Sequence, residues 1–110
     1  MKFLSIAFLL LLANSSFALE VPFLSGRIID ETGILDTETK DILEEKLKAH
    51  EKETSNQVVV LIIPSLEGEV LEEYSLKVAS TWKLGKKKTD NGVLLIIDKA
   101  DRLLRLDVGY

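Results

Sequence analysis

The sequence predicts one small domain of the mixed α/β class, in which helices pack on a short β-sheet. Three observations support this prediction: a length of 110 residues, a composition of 46% hydrophobic and 29% charged residues, and alternating helical and strand-like apolar patterns. The length leaves room for a single domain, and the apolar content is too high for a disordered chain. Alternating helices and strands are typical of a sheet covered by helices.

Two segments have the apolar periodicity of amphipathic helices. The first begins at Asp36, whose carboxylate can accept a hydrogen bond from an unpaired N–H of the first turn, and ends near Thr54. The second covers residues 69–82 and ends before Gly85. The predicted inward residues of the first helix are Ile42, Leu43, Leu47 and His50, with Glu44, Glu45, Lys48 and Glu51 facing solvent. Those of the second are Leu71, Tyr74, Val78 and Trp82, with Tyr74 and Trp82 as core anchors.

Four segments have the composition of strands. Residues 57–63 and 93–97 are apolar on both faces, which is typical of central strands covered on two sides. Residues 27–30 predict a short strand or an extended arm. Residues 98–101 predict a hairpin turn, and residues 102–108 the return strand. On that return strand, one face contains Leu104, Leu106 and Val108, and the other contains Arg105 and Asp107.

The first 18 residues have the pattern of a secretory signal peptide. Lys2 supplies a positive charge, residues 3–13 are nearly all apolar, and small residues precede a cleavage site after Ala18. The apolar run is shorter than the roughly 20 residues of a membrane span, and an uncleaved N-terminal anchor is the alternative. Loss of Lys2 lowers the net charge from −4 to −5. We therefore expect an exported bacterial protein, periplasmic or secreted, with no transmembrane helix after cleavage.

Composition excludes several classes of function. The absence of Cys excludes disulfides, thiolate metal sites and a Cys nucleophile. The acidic pI of about 5.0 argues against nucleic acid as a partner, because binding a polyanion needs a basic face. A Ser-His-Asp triad would have to use His50, the only histidine. We expect that residue to be packed or half-exposed on its helix, and therefore a poor catalytic base.

The best candidate site in the sequence is a group of four residues with hard oxygen ligands: Asp30, Glu31, Asp90 and Asn91. The first two lie in a loop near the N-terminus, and the last two directly precede a central strand. Because loops at strand ends are common places for ligand sites, we expect the four to bind Ca²⁺ or Mg²⁺. The alternative interpretation is structural: residues 90–92 form a turn, and Asp30 accepts hydrogen bonds from local backbone N–H groups.

A run of three lysines lies next to this acidic group. Lys86, Lys87 and Lys88 could attract a phosphate or an anionic lipid headgroup, which makes a membrane surface a second type of contact. The alternative is that the three side chains are simply solvated. A phosphatase would need a metal or a nucleophile in addition to such positive charge.

An ordered set of short motifs resembles the TPM domain, a family of thylakoid lumen proteins, photosystem II repair proteins, levamisole-receptor modulators and bacterial YgcG-like proteins. The motifs are Ser-Gly-Arg-Ile-Ile-Asp at 25–30, Gly-Ile-Leu at 33–35, Gln-Val-Val-Val at 57–60, Pro-Ser-Leu at 64–66, Gly68, Tyr74, Trp-Lys-Leu-Gly at 82–85, Asp-Asn-Gly-Val-Leu-Leu at 90–95 and Asp-Val-Gly-Tyr at 107–110. They span nearly all of residues 19–110, which we assign as the domain.

The resemblance implies an α/β/α sandwich around a small mixed sheet flanked by helices, an export signal, and either a divalent cation site or a phosphatase activity. TPM domains usually continue past the Gly-Tyr with a glycine-rich loop and one or two helices, so a chain ending at Tyr110 would leave one face of the sheet bare. We expect a module that binds a divalent cation or an envelope protein partner. A metal-dependent phosphatase of low specificity is the alternative.

Overall fold

The computed structural model describes residues 19–85 and 91–109. The predicted signal peptide (residues 1–18) and the three lysines therefore lie outside the described residues. Within this part, four strands form one sheet in the order β1–β2–β3–β4. The strands are β1 (Ile28–Asp30), β2 (Asn56–Ile63), β3 (Asn91–Asp98) and β4 (Leu103–Val108), and the helices are α1 (Thr37–Thr54) and α2 (Leu71–Trp82).

Strand directions make the sheet mixed. β1, β2 and β3 are parallel to one another, and β4 returns antiparallel to β3 through a tight hairpin. Helix α1 connects β1 to β2 across one face, and α2 connects β2 to β3 across the other, so helices lie on both sides of the sheet. The predicted α/β fold with a mixed sheet is confirmed.

The two helices begin differently. Asp36 caps α1, because its side chain accepts a hydrogen bond from Thr39 N at 2.7 Å, as the sequence predicts. Val70 precedes α2 and makes no side-chain cap. Lys83, in the left-handed conformation with φ of 54°, ends α2 two residues before the predicted stop at Gly85. Across the described residues, no helix combines the length and apolarity that crossing a bilayer requires.

The core lies between α2 and one face of the sheet. Tyr74 and Val78 of α2 are at most 1% exposed, and the facing sheet residues are at most 7% exposed. Residues 19–24 form an N-terminal arm that packs against this core, and two aromatic side chains fix it. Tyr74 Oη donates to Glu20 O at 3.0 Å, and Trp82 Nε1 donates to Pro22 O at 2.8 Å. The sheet residues of the core are Ile29, Val59, Leu61, Ile63, Leu94 and Ile96.

The opposite face is covered only in part. Helix α1 contacts β1 and β2, yet no residue of α1 is buried. Leu43 and Leu47 are half-buried as predicted, but Ile42 and His50 of the predicted inward stripe are exposed. The description of β2 and β3 as covered on two sides is therefore correct for one face only.

Candidate functional site

Asp30, the last residue of β1, holds the turn that follows it. Its Oδ1 accepts hydrogen bonds from Thr32 N at 2.9 Å, Thr32 Oγ1 at 2.6 Å and Gly33 N at 3.1 Å, and its Oδ2 accepts one from Leu35 N at 2.9 Å. Partial burial alone would raise the pKa of the Asp30 carboxyl, but these hydrogen-bond donors stabilise the carboxylate and hold the pKa below its ordinary value. Asp30 thus accepts hydrogen bonds from local backbone N–H groups, as the alternative structural interpretation predicted.

The strand register separates the predicted site residues. Asp30 pairs with Ile62, whereas Asn91 pairs with Asn56, six residues back along β2. At about 3.3 Å per residue, this is a separation of roughly 20 Å along the strands. Because β1 and β3 are parallel, the C-terminal end of β1 and the N-terminal end of β3 lie at opposite ends of the strands. The structure therefore does not bring Asp30 and Glu31 together with Asn91.

Of the other three predicted ligands, Glu31 and Asn91 lie on separate surfaces and Asp90 is outside the described residues. Glu31 is exposed and lines a shallow cavity of about 440 Å³ together with Pro64 and Lys99. Asn91 Nδ2 donates to Asn56 Oδ1 at 3.3 Å. Residues 19–85 and 91–109 contain no group of three or more His, Asp or Glu side chains that could hold a metal ion, so cation binding at these positions stays a prediction.

A carboxyl pair at the hairpin was predicted only as a turn. Asp98 ends β3 and is fully buried, and its Oδ2 has no hydrogen-bond partner among the described residues. Its Oδ1 accepts a hydrogen bond from Asp101 N at 3.4 Å. The pKa of the Asp101 carboxyl is raised, because its neutral form can donate a hydrogen bond to Asp98 and its charged form is repelled by Asp98.

Glu44 joins Arg27 and β1 to α1, although its position predicted a solvent-facing side chain. Its carboxylate accepts from Arg27 N at 2.8 Å and from Ile28 N at 2.9 Å. The Arg27 guanidinium contacts Glu44 at 3.4 Å and Glu51 at 3.1 Å. The available signal was the seven-residue spacing of Glu44 and Glu51, which places both on one side of a helix.

A polar cluster fixes the orientation of β4. Ser75 of α2 donates from Oγ to Asp107 Oδ2, and Arg105 Nε contacts the same oxygen at 2.9 Å. Arg105 Nη1 also lies 3.8 Å from Glu72 of α2. Because side chains alternate along a strand, pointing Arg105 and Asp107 toward α2 points the neighbouring apolar residues of β4 away from the core.

Those outward residues form an exposed apolar surface. Leu104, Leu106 and Val108 are 59–68% exposed. Leu104 and Leu106 pair with Ile97 and Leu95 of β3, whose side chains line an apolar groove of about 440 Å³ beside α1. We call this surface the open face. Besides β4, it comprises Val60 and Ile62 of β2, Leu95 and Ile97 of β3, and Leu43, Lys46 and Leu47 of α1.

Two solved structures share this fold. The N-terminal domain of a protein from P. gingivalis has a TM-score of 0.73 and 28% identity, covering 86% of this chain and 66% of that chain. The N-terminal domain of the cg2496 protein from Corynebacterium glutamicum has a TM-score of 0.65 and 12% identity, covering 86% and 62%. The second likeness concerns the fold alone. The chain spans about two thirds of the length of these structures.

Sequence comparison assigns the family. No curated protein is significantly similar to the chain. The family model of the TPM domain matches residues 28–110, a region that includes all four strands and both helices. The ordered motifs that resemble the TPM domain, from Ile28 onward, lie within the matched region. The chain therefore belongs to the TPM-domain family.

Proposed function

We propose that this protein is an exported TPM-domain module that binds a partner protein of the bacterial envelope through the open face. The observation that supports this proposal most directly is the exposure of three apolar side chains in a row on β4, at 59–68%. Single exposed apolar residues are common on protein surfaces, whereas a contiguous apolar patch next to a groove is typical of an interaction site.

The shape of the open face indicates a helix as the bound element. α1 lies over β1 and β2, and no other element of residues 19–85 and 91–109 covers this face of β3 and β4. A sheet face of this width is ordinarily covered by helices lying side by side. An amphipathic helix of the partner, laid alongside α1, would place its apolar stripe on Leu95, Leu104 and Leu106.

Charge narrows the chemistry of that helix. Lys46 lies in the lining of the groove, and the described residues provide it with no ion pair. An acidic residue flanking the partner's apolar stripe would complement it, at a modest gain because rim charges are solvated. Burial supplies the larger part, at about 25 cal/mol per Å² of apolar surface removed from water.

The divalent-cation and phosphatase alternatives have less support in the geometry. Both oxygens of Asp30 already accept local hydrogen bonds, and Asn91 lies at the opposite end of the strands. Assay of phosphate release with and without Ca²⁺ or Mg²⁺, with Asp90→Ala as the comparison, tests them. Metal-dependent turnover that Asp90→Ala abolishes would establish the phosphatase in place of a binding module.

Site-specific photocrosslinking in the envelope tests partner binding. A photoreactive residue replaces Leu104 on the open face or, as a control, Leu76 on α2, which is similarly exposed at 62%. We expect one discrete product with another protein from position 104 and none from position 76. The product should disappear in a chain that also carries Leu106→Glu. Equal products from both positions, or a product containing only two copies of this chain, would contradict the proposal.

A further inference from the structure

We propose that cleavage after Ala18 creates an α-ammonium group at Leu19 that binds the carboxylate of Glu69, so that processing completes a binding site for the new N-terminus. This proposal rests on the predicted signal peptide and is independent of the open face. Leu19 N donates to Glu69 Oε1 at 3.1 Å although the two residues are 50 positions apart in sequence. The site thus lies at the first residue that the predicted cleavage would expose.

Two charged side chains hold the backbone of Leu19. Glu69 accepts from its N–H, and Lys77 Nζ donates to its carbonyl oxygen at 2.7 Å. Lys77 Nζ also lies 3.8 Å from Glu69 Oε1. The Glu69 and Lys77 side chains are only 28% and 41% exposed, respectively. A carboxylate and an ammonium are therefore held on the two polar groups of one backbone residue.

The following residues are held in the same register. Tyr74 Oη binds the carbonyl of Glu20, and Trp82 Nε1 binds the carbonyl of Pro22. Donors from α2 thus contact three carbonyls within four residues of the arm. This matching defines where the arm begins on the core, because a shift by one residue would misplace all three hydrogen bonds.

Hydrolysis changes the chemistry of the first contact. A leader peptidase adds one water across the Ala18–Leu19 peptide bond: Ala18 leaves with the carboxylate, and the Leu19 nitrogen becomes an ammonium with three N–H donors. The hydrogen bond from a neutral N–H to the Glu69 carboxylate becomes an ion pair between an ammonium and a carboxylate, which is shorter and stronger. The processed arm is consequently held more firmly over Tyr74 and Trp82 than the arm of the precursor.

The first test is the N-terminus of the exported protein, determined by intact mass and N-terminal sequencing after expression of the full chain. We expect the mature protein to begin at Leu19. A different first residue would overturn the proposal, since any extension or truncation moves the ammonium away from Glu69; one added residue moves it by about 3.8 Å.

The second test is a double-mutant cycle on purified mature protein. One chain begins at Leu19 and one retains Ala18, each with Glu69 or with Glu69→Gln; Glu73→Gln on the exposed side of α2 is the matched control. With Glu69, we expect the extra residue to lower the folding equilibrium constant roughly three- to tenfold, less at high salt. With Glu69→Gln, the extra residue should have no effect. The proposal would be overturned if the extra residue lowered the folding equilibrium constant equally with Glu69 and with Glu69→Gln. It would also be overturned if Glu73→Gln abolished the effect of the extra residue as Glu69→Gln does.

Discussion

The two faces of the sheet contain similar apolar residues but differ in how they are covered. On the α2 face, Leu94 and Ile96 are fully buried under Tyr74 and Val78. On the open face, the neighbouring residues Leu95 and Ile97 are only half-buried. The same strand, β3, thus contributes to a closed core on one side and to an accessible groove on the other.

This difference shows that polar contacts, and not only hydrophobicity, decide which side of an edge strand faces the core. β4 could bury its three apolar side chains only by exposing Arg105 and Asp107. Instead, Asp107 bonds Ser75 and Arg105 lies near Glu72, so the polar side of β4 packs against α2. The apolar side is left available for another surface.

Truncation of a leucine on each face gives the largest expected contrast. Leu94→Ala should lower the free energy of unfolding by about 2–5 kcal/mol, because it opens a cavity in the closed core. Leu106→Ala, 59% exposed in the wild type, should change it by no more than about 0.5 kcal/mol. Urea denaturation of the two variants measures the contrast; similar losses would mean that the open face is also a closed core.

Removal of the Glu44 carboxylate tests what fixes α1 to the sheet. Glu44→Gln leaves at least one of the Arg27 and Ile28 N–H groups with a weaker or missing acceptor, so we expect a loss of about 1.5–3 kcal/mol. Glu45→Gln, at an exposed neighbour on the same helix, is the control and should be nearly neutral. If both variants cost the same, the connection between α1 and β1 does not depend on this carboxylate.

The sequence predicts the elements well because periodicity and caps are local. Asp36 as the cap of α1 and the placement of β2, β3 and β4 follow from such signals, whereas residues 27–30 were left open as a strand or an extended arm. The solvent-facing assignment of Glu44 was wrong because its partners, Arg27 and Ile28, are 17 and 16 residues away, and periodicity does not indicate which polar residue meets a distant backbone group.

The predicted four-residue site depended on strand direction. Asp30 follows one strand and Asn91 begins another, and they meet only if those strands are antiparallel or their loops cross an edge. β1 and β3 are both parallel to β2, so the two residues lie at opposite ends of the strands. A helix between two strands is itself a signal for parallel strands, so the separation of Asp30 from Asn91 could have been predicted from the order of the elements.

The turn held by Asp30 gives a smaller, pH-dependent effect. The pKa of the Asp30 carboxyl is held below its ordinary value. The contribution of this carboxylate to the free energy of unfolding is therefore complete above the unfolded pKa of about 3.9 and is lost as the pH falls through the folded pKa. Asp30→Asn should cost about 1–2 kcal/mol at pH 7 and flatten the stability profile below about pH 4. Asp41→Asn, exposed on α1, is the control; equal profiles for the two variants would contradict the assignment.

The helix caps give the smallest expected effects. α1 has no buried residue and should depend on its cap, so Asp36→Ala should cost about 1 kcal/mol. α2 is held by packing and lacks a side-chain cap, so Val70→Ser should stabilise the protein by about 0.5–1 kcal/mol. Thermal unfolding monitored by circular dichroism measures both; a loss with Val70→Ser would show that the Val70 side chain contributes packing that its 55% exposure does not suggest.

Cysteine accessibility tests the role of the open face most directly, because the natural chain contains no Cys. Leu106→Cys and Leu76→Cys place one thiol on the open face and one on α2, at positions that are 59% and 62% exposed. With a maleimide probe, we predict equal labelling rates in the purified protein and selective protection of position 106 in intact envelopes. Equal labelling of the two positions in the envelope would contradict the proposal that a partner covers the open face.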